Sequence, residues 1–305
     1  MYPEESWIGP DRNRSGTDLR DEFRNKLSSH IPTAAGILGE VVRVVFDSES
    51  DAGDLVKVIE HDPPISAKII QIANSSFYSQ TSHVTSLKRA VVTLGFGAVA
   101  ELVMSMSMIQ FLFTARSVRD IDYPGLWLHS VAVGRAAQQI MTGIDHERAD
   151  EAYTHGLLHD IGKIALALVF PGMYEDSVSY AGKQGTSIYV AERTIIGLDH
   201  CQAGRIVGEK LGLPDNIISV IADHHSIVPG HGEPLFTVVY VADLVARQAS
   251  IGFPGDDLMP DPQDEALEFL ALDRMGPQNS FDSLVSNIGS EKNGLMEFYS
   301  SLDGG

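Results

Sequence analysis

Apolar residues recur along this chain at spacings of three and four, and no run shows the apolar-polar alternation of a half-buried strand. The helical pattern begins at Leu19. Ile37, Val41, Val44 and Val45 share a face after the loop residues Ile31-Pro32-Thr33. Asp51 or Gly53 is placed to start the next helix, with Leu55, Val58 and Ile59 on its apolar side. His61-Asp62-Pro63-Pro64 ends it, because proline lacks the amide donor and restricts the residue before it. Ser66 to Ala73 resumes the period through Ile69, Ile72 and Ala73, with Ile65 just ahead. Leu87, Ala90, Val91 and Leu94 mark another helix closed by Gly95. Val238–Ala242 is β-prone in isolation, yet it runs on through Asp243–Ala246 at helical spacing. The pattern predicts an all-α fold.

Two packed helical lobes are expected, because 305 residues is near the size, about 250–300, at which one core stops growing. The division predicted is a frayed, polar arm over 1–18, a first helical lobe over 19–120, a second over 121–250 and an acidic extension over 251–305. Arg116–Tyr123, closed by Pro124, is the expected lobe boundary, and Gly252–Pro262 marks the end of the second lobe. The longest apolar run, Ala98–Phe113, is interrupted by Glu101 and Gln110 and is shorter than the roughly 20 residues of a membrane span. It predicts a buried central helix, with Met104, Met106 and Met108 suited to adaptable packing.

A hydrophobic content of 44% and a charged content of 21% are those of an ordinary globular protein. The net charge of -19 argues against nonspecific nucleic-acid binding, which needs basic surface. Residues 250–305 alone hold eleven acidic and two basic side chains. The single cysteine, Cys201, excludes an intrachain disulfide and fits a reducing cytoplasm. Met1–Asn13 has no apolar segment of the secretory type, so the expected location is cytoplasmic.

The chemistry concentrates in Gly156-Leu157-Leu158-His159-Asp160-Ile161-Gly162-Lys163. A carboxylate beside an imidazole in an apolar segment is costly unless a cation or a hydrogen-bond network compensates it. The pair is expected near the end of a helix starting about Arg148 and terminated by Gly162. Further ligands are available in His129, His200, His224, His225 and Asp243, each in a helix or at a helix end. His129, His159, Asp160 and Asp243 would make a mononuclear site. Adding His200 with His224 or His225 allows a second ion bridged by Asp160. Mixed imidazole and carboxylate ligands suit iron, manganese or zinc, one or two ions in all. Lys163 reads equally as a partner for a phosphate oxygen or leaving group and as a solvated lysine at a helix end. Glu192 reads as a buttress for a ligand or part of a charge network, His155 as a hydrogen-bonded neighbour, and Cys201 as a small buried filler. His30, His61, His83, His146 and His231 are expected at solvent. The chain has no phosphate-cradling glycine loop and no nucleophile elbow.

With Ile31-Pro32-Thr33, Ile59-Glu60-His61-Asp62-Pro63, Ile72-Ala73-Asn74-Ser75-Ser76-Phe77-Tyr78, Ser86-Leu87 and Ala90-Val91-Val92-Thr93-Leu94-Gly95, residues from about Phe23 to Ala246 resemble the HDOD module, the HD-related output domain of bacterial signalling proteins. The second lobe is similar to the HD superfamily of metal-dependent phosphohydrolases and to its HD-GYP branch, which cleaves cyclic di-GMP. His129, His159, Asp160, His200, His224, His225 and Asp243 match that branch's metal positions in order, and Lys163 matches its lysine. Ser226–Gly232 departs from it, lacking the acidic residue and the Gly-Tyr-Pro signature, and Gly125 offers no carboxylate for a third ion. The resemblance implies a regulatory module acting through signalling proteins or a small ligand, such as a nucleotide or cyclic dinucleotide. The alternative it implies is a metal-dependent phosphohydrolase, with Asp160 and Lys163 as its catalytic groups. No nucleic-acid or membrane partner is expected. With no receiver, sensor or cyclase segment appended, input is expected to arrive through another chain.

Overall fold

The computed structural model describes residues 16–30, 33–75, 83–115, 121–225, 233–260, 263–272, 276 and 280–303, and these contain helices and no strand. The first six helices are α1 (Gly16–His30), α2 (Thr33–Phe46), α3 (Ala52–Ile59), α4 (Pro63–Ala73), α5 (Leu87–Leu94) and α6 (Phe96–Ala115). A second series follows: α7 (Tyr123–Ile144), α8 (Ala149–Leu158), α9 (Ile161–Val169), α10 (Pro171–Gln184), α11 (Ile188–Ile195), α12 (His200–Leu211), α13 (Asp215–Asp223) and α14 (Pro234–Gln248). A short α15 (Asp264–Phe269) and a long α16 (Phe281–Asp303) complete the chain. One continuous apolar core runs through both lobes, from Phe23 and Leu38 to Val241 and Ile288.

Local sequence explains the helix ends. Asp51 and Asp54 form a reciprocal capping box at the start of α3, which satisfies amides with no partner inside the helix. Asp62 caps α4 at the amide of Ile65, and the two prolines occupy its first turn. The helix expected from Ser66 therefore starts three residues earlier, since proline is tolerated where the amide would be unpaired anyway. Gly95, at φ 92°, closes α5 in a conformation that L side chains disfavour. The apolar run in α6 is buried as expected, with Met104, Met106 and Met108 in the core. No single described helix is long and apolar enough to cross a membrane. Only α5 and α6 together reach that length, and they meet at 113°. Ile31, Pro32, Ser76–Tyr78, most of the expected lobe boundary (116–120) and the stretch Ser226–Gly232 lie outside the described residues, as does the expected arm up to residue 15.

Two close helix crossings position the second lobe. A Cβ on Gly156 would come within 2.8 Å of the Gly134 Cα, so α8 lies directly against α7. On Gly162 it would collide with the carbonyl oxygen of His200, so α9 lies directly against the start of α12. Gly162 thus does not terminate a helix. The chain breaks at His159-Asp160, and Gly162 sits in the first turn of α9. The acidic C-terminal stretch is not detached from this body. Its helix α16 lies on α7 and α14, where Trp127 stacks on Phe298 and Tyr299 with ring centroids 6.0 and 5.4 Å apart.

Candidate metal centre

The break between α8 and α9 turns the Asp160 carboxylate inward, and three other helices bring imidazoles to it. Its Oδ2 lies 3.2 Å from His159 Nε2 and 3.8 Å from His129 Nε2 on α7. Its Oδ1 lies 3.5 Å from the Nε2 atoms of both His200, the first residue of α12, and His224, just past α13. Asp243 on α14 reaches the cluster through His129, 2.9 Å from its Nε2. His225 joins through His200, their Nε2 atoms 3.0 Å apart. Two donor groups result, His129 with His159 and Asp160, and His200 with His224 and His225. Within each, the donor atoms lie inside 4.8 Å of one another.

The geometry suits a cation better than a closed hydrogen-bond network. Asp160 Oδ1 and both ring nitrogens of His129 are buried with no hydrogen-bond partner, and buried polar atoms are rarely left so. His129 Nε2 and Asp243 Oδ1 are close yet not aligned to share a proton. Other ring nitrogens are held from behind. His159 Nδ1 donates to the Gly156 carbonyl at 2.8 Å and His224 Nδ1 to that of Ile221 at 2.9 Å. A carbonyl only accepts, so these bonds place a proton on Nδ1 and aim Nε2 at Asp160. Glu192 on α11 holds His200 by two bonds, from its amide at 2.8 Å and from Nδ1 at 2.6 Å. Such outer contacts fix ligand rings in metal sites. The donor set fits a transition metal.

Electrostatics reinforce the reading. Burial works against charge on Asp160, but His159 and Lys163 outweigh it and hold the carboxyl well below its ordinary value. Asp243 behaves alike, with Arg247 overcoming burial. Burial, and then Lys163, hold the His200 ring well below its usual value, and burial depresses His129, so both are neutral as a metal requires. Burial pushes Glu192 up to about 8. Burial also opposes charge on His224, but Cys201 and Asp160 beside it hold that ring up to about 9. A metal would have to displace this proton.

The other six residues expected as ligands lie around Asp160, four directly and two through one neighbour. Lys163 is not the solvated lysine of one expectation. It is 1% exposed and donates to Asp160 Oδ2 at 2.5 Å, because it belongs to the first turn of a new helix facing the core. His155 is buried but turned away, bonded to the Glu151 carbonyl and beside Phe46. Cys201 is buried, with Sγ 3.7 Å from His224 Nδ1. His61, His83 and His146 are exposed, whereas the side chain of His30 and all of His231 lie outside the described residues. Sequence reasoning missed Arg247, whose Nε bonds Asp243 at 3.0 Å, and Asp256, which bonds Arg247 Nη1 at 2.8 Å. The first was legible as an i,i+4 pair on one helix face; the second had no local signal. A cavity of about 230 Å³ opens onto the centre, lined by His159, His224, His225, Asp243, Tyr189 and Arg247 among others.

Residues 31–227 match the HDOD domain family, about two-thirds of the chain. The chain belongs to that family. Solved structures agree on the fold. An HDOD domain protein of unknown function from Geobacter sulfurreducens is 20% identical, with a TM-score of 0.70 over 95% of this chain and 98% of that one. A protein from Marinobacter aquaeolei VT8, named provisionally for signal transduction, is 22% identical, with a TM-score of 0.71 over 96% of this chain and 67% of that one. A protein from Shewanella amazonensis SB2B, named provisionally as a phosphohydrolase, is 21% identical, with a TM-score of 0.64 over 92% and 98%. An uncharacterized protein of Treponema pallidum is 22% identical over 221 residues, and the chain spans only 42% of that relative's length. The HDOD match stops before α14, so Asp243, Arg247 and Asp256 lie beyond it.

Proposed function

We propose that this HDOD protein is a bacterial, cytoplasmic signal-transduction module whose second lobe holds one or two transition metal ions. Its output passes through signalling proteins or a small ligand. The observation that carries the reading is the buried Asp160 carboxylate, faced by four imidazoles while its Oδ1 makes no hydrogen bond. His129, His159, Asp160 and Asp243 would hold one ion, and His200, His224 and His225 a second, with Asp160 between them. Iron, manganese and zinc all suit this donor set.

A second reading, a phosphohydrolase acting on a nucleotide or cyclic dinucleotide, is favoured by the cavity that opens onto His159, His224, His225 and Asp243. Bound metal would supply Lewis acidity and an activated water. The chain's residues would hold the ring nitrogens and carboxylates in place, while Lys163 stays committed to Asp160 rather than to a phosphate. That commitment, and the departure from the Gly-Tyr-Pro signature, favour the regulatory reading. The discriminating experiment is metal analysis of the purified protein, followed by a phosphodiesterase screen with iron, manganese and zinc. We expect one or two bound ions, lost in His159→Ala, and no turnover. Turnover on the order of 1 per second or above, abolished by the same substitution, would reverse the order of the two readings.

A further inference from the structure

The segment 249–258, which follows α14, runs back across the metal centre. Its course is set by backbone conformations that few residues adopt, with Ser250 at φ 53°, Gly252 at 73° and Gly255 at 109°. A Cβ on Gly252 would collide with the Gly125 carbonyl oxygen and the His129 amide nitrogen, so this strap lies directly on the turn of α7 that presents His129. Phe253 N donates to the Gly125 carbonyl at 3.0 Å. Lys292 of α16 ties down the beginning of the strap, donating to the Ser250 carbonyl at 2.7 Å.

Asp256, 5% exposed, is the strap's polar anchor. Its Oδ1 accepts from Arg247 Nη1 at 2.8 Å and from the Leu258 amide at 3.1 Å. Its Oδ2 accepts from the Ile188 amide, the first of α11, at 2.9 Å. Arg247 in turn grips both carboxylate oxygens of Asp243, at 3.2 and 3.0 Å through Nε. Helix α11 supports the other half of the centre. Tyr189 lies against the His225 ring at 5.1 Å, and Glu192 holds His200. One buried carboxylate therefore touches the supports of both donor groups.

Resting on the metal-site reading above, we propose that Asp256 is a positioning residue for the centre. Through Arg247 it orients Asp243, and through the Ile188 amide it sets α11, which places His200 and His225. The HDOD helices alone leave the centre unfinished, and the strap beyond the family match completes it.

The test is Mn²⁺ affinity and stoichiometry of the full chain, measured by chelator competition, for wild type, Asp256→Ala, Asp256→Asn and Asp51→Ala. Asp51 caps α3 in the first lobe, so its loss weakens the fold without touching the strap. We expect Asp256→Ala to bind about 10–100-fold more weakly, the range for losing an outer support of a metal ligand. Asp256→Asn, which keeps one acceptor oxygen but loses the charge facing Arg247, should fall between it and wild type, and Asp51→Ala should bind as wild type does. Wild-type affinity in either folded Asp256 variant overturns the proposal and leaves the metal reading standing. An equal loss in Asp51→Ala overturns it too, by showing that general instability suffices. A wild-type chain that takes up no Mn²⁺, Fe²⁺ or Zn²⁺ overturns the metal reading itself.

Discussion

Lys163 and Asp160 form a buried ion pair at 2.5 Å, with side-chain exposures of 1% and 4%, so solvent screens it little. Asp160→Ala removes the hub of the donor set and strands the ammonium group inside the protein. Breaking one side of a buried pair costs about 3–5 kcal/mol, a large share of the roughly 5–15 kcal/mol by which a domain is stable. Metal loss alone would have no such effect in chelated protein. Urea unfolding in excess chelator, followed by circular dichroism, should therefore show Asp160→Ala destabilised by about that amount. Adding Lys163→Met removes the stranded charge while keeping a long apolar stem. Replacing a whole buried pair by apolar groups is often close to neutral, so the double variant should regain most of the stability and none of the metal. Equal stability of wild type and Asp160→Ala in chelator would show that Lys163 does not depend on Asp160. A double variant no more stable than the single one would show that the loss comes from the imidazoles instead.

Gly162→Ala places a methyl group against the His200 carbonyl oxygen and 2.6 Å from the Gly204 amide nitrogen, both backbone atoms that yield only if α9 and α12 separate. We expect a loss of about 1–3 kcal/mol in thermal unfolding, with weaker metal binding at His200; an unchanged melting temperature would refute the close crossing. The proton on His224, held up to about 9, must leave before its Nε2 can bind a metal. The sign is fixed: the ring is charged below that value, so affinity rises with pH across the neutral range, by up to about tenfold per unit. Chelator competition at pH 7.0 and 8.5 reads this directly, together with proton release measured in buffers of different ionisation heat; a flat profile would mean that His224 is not a ligand.

The helical class and some helix ends were legible because they depend on local spacing: one apolar face per helix, an aspartate ahead of α3, a glycine after α5. Pro63 and Pro64 were legible only as the end of α3, whereas they also open α4. The clustering of the candidate ligands was legible for a different reason. A histidine or aspartate inside an apolar helical segment has few uses, and the ordered set matched a family. What failed was the reading of Gly162 as a terminator and the alternative of a solvated Lys163. Both errors share a cause. A glycine within a helical pattern marks either an end or a close approach by another chain segment, and sequence spacing does not tell these apart. Here the partner is the His200 carbonyl, thirty-eight positions away. Once Gly162 belongs to a new helix rather than to the end of an old one, Lys163 turns toward the core and Asp160 sits at the break, where one carboxylate can face helices from several directions. Asp256 was hidden for the same physical reason in stronger form. It holds Arg247 from nine positions away and Ile188 from sixty-eight, across a strap whose glycines look like an ordinary loop. Spacing reports which face a residue occupies, and only the packing of helices decides which distant group that face meets.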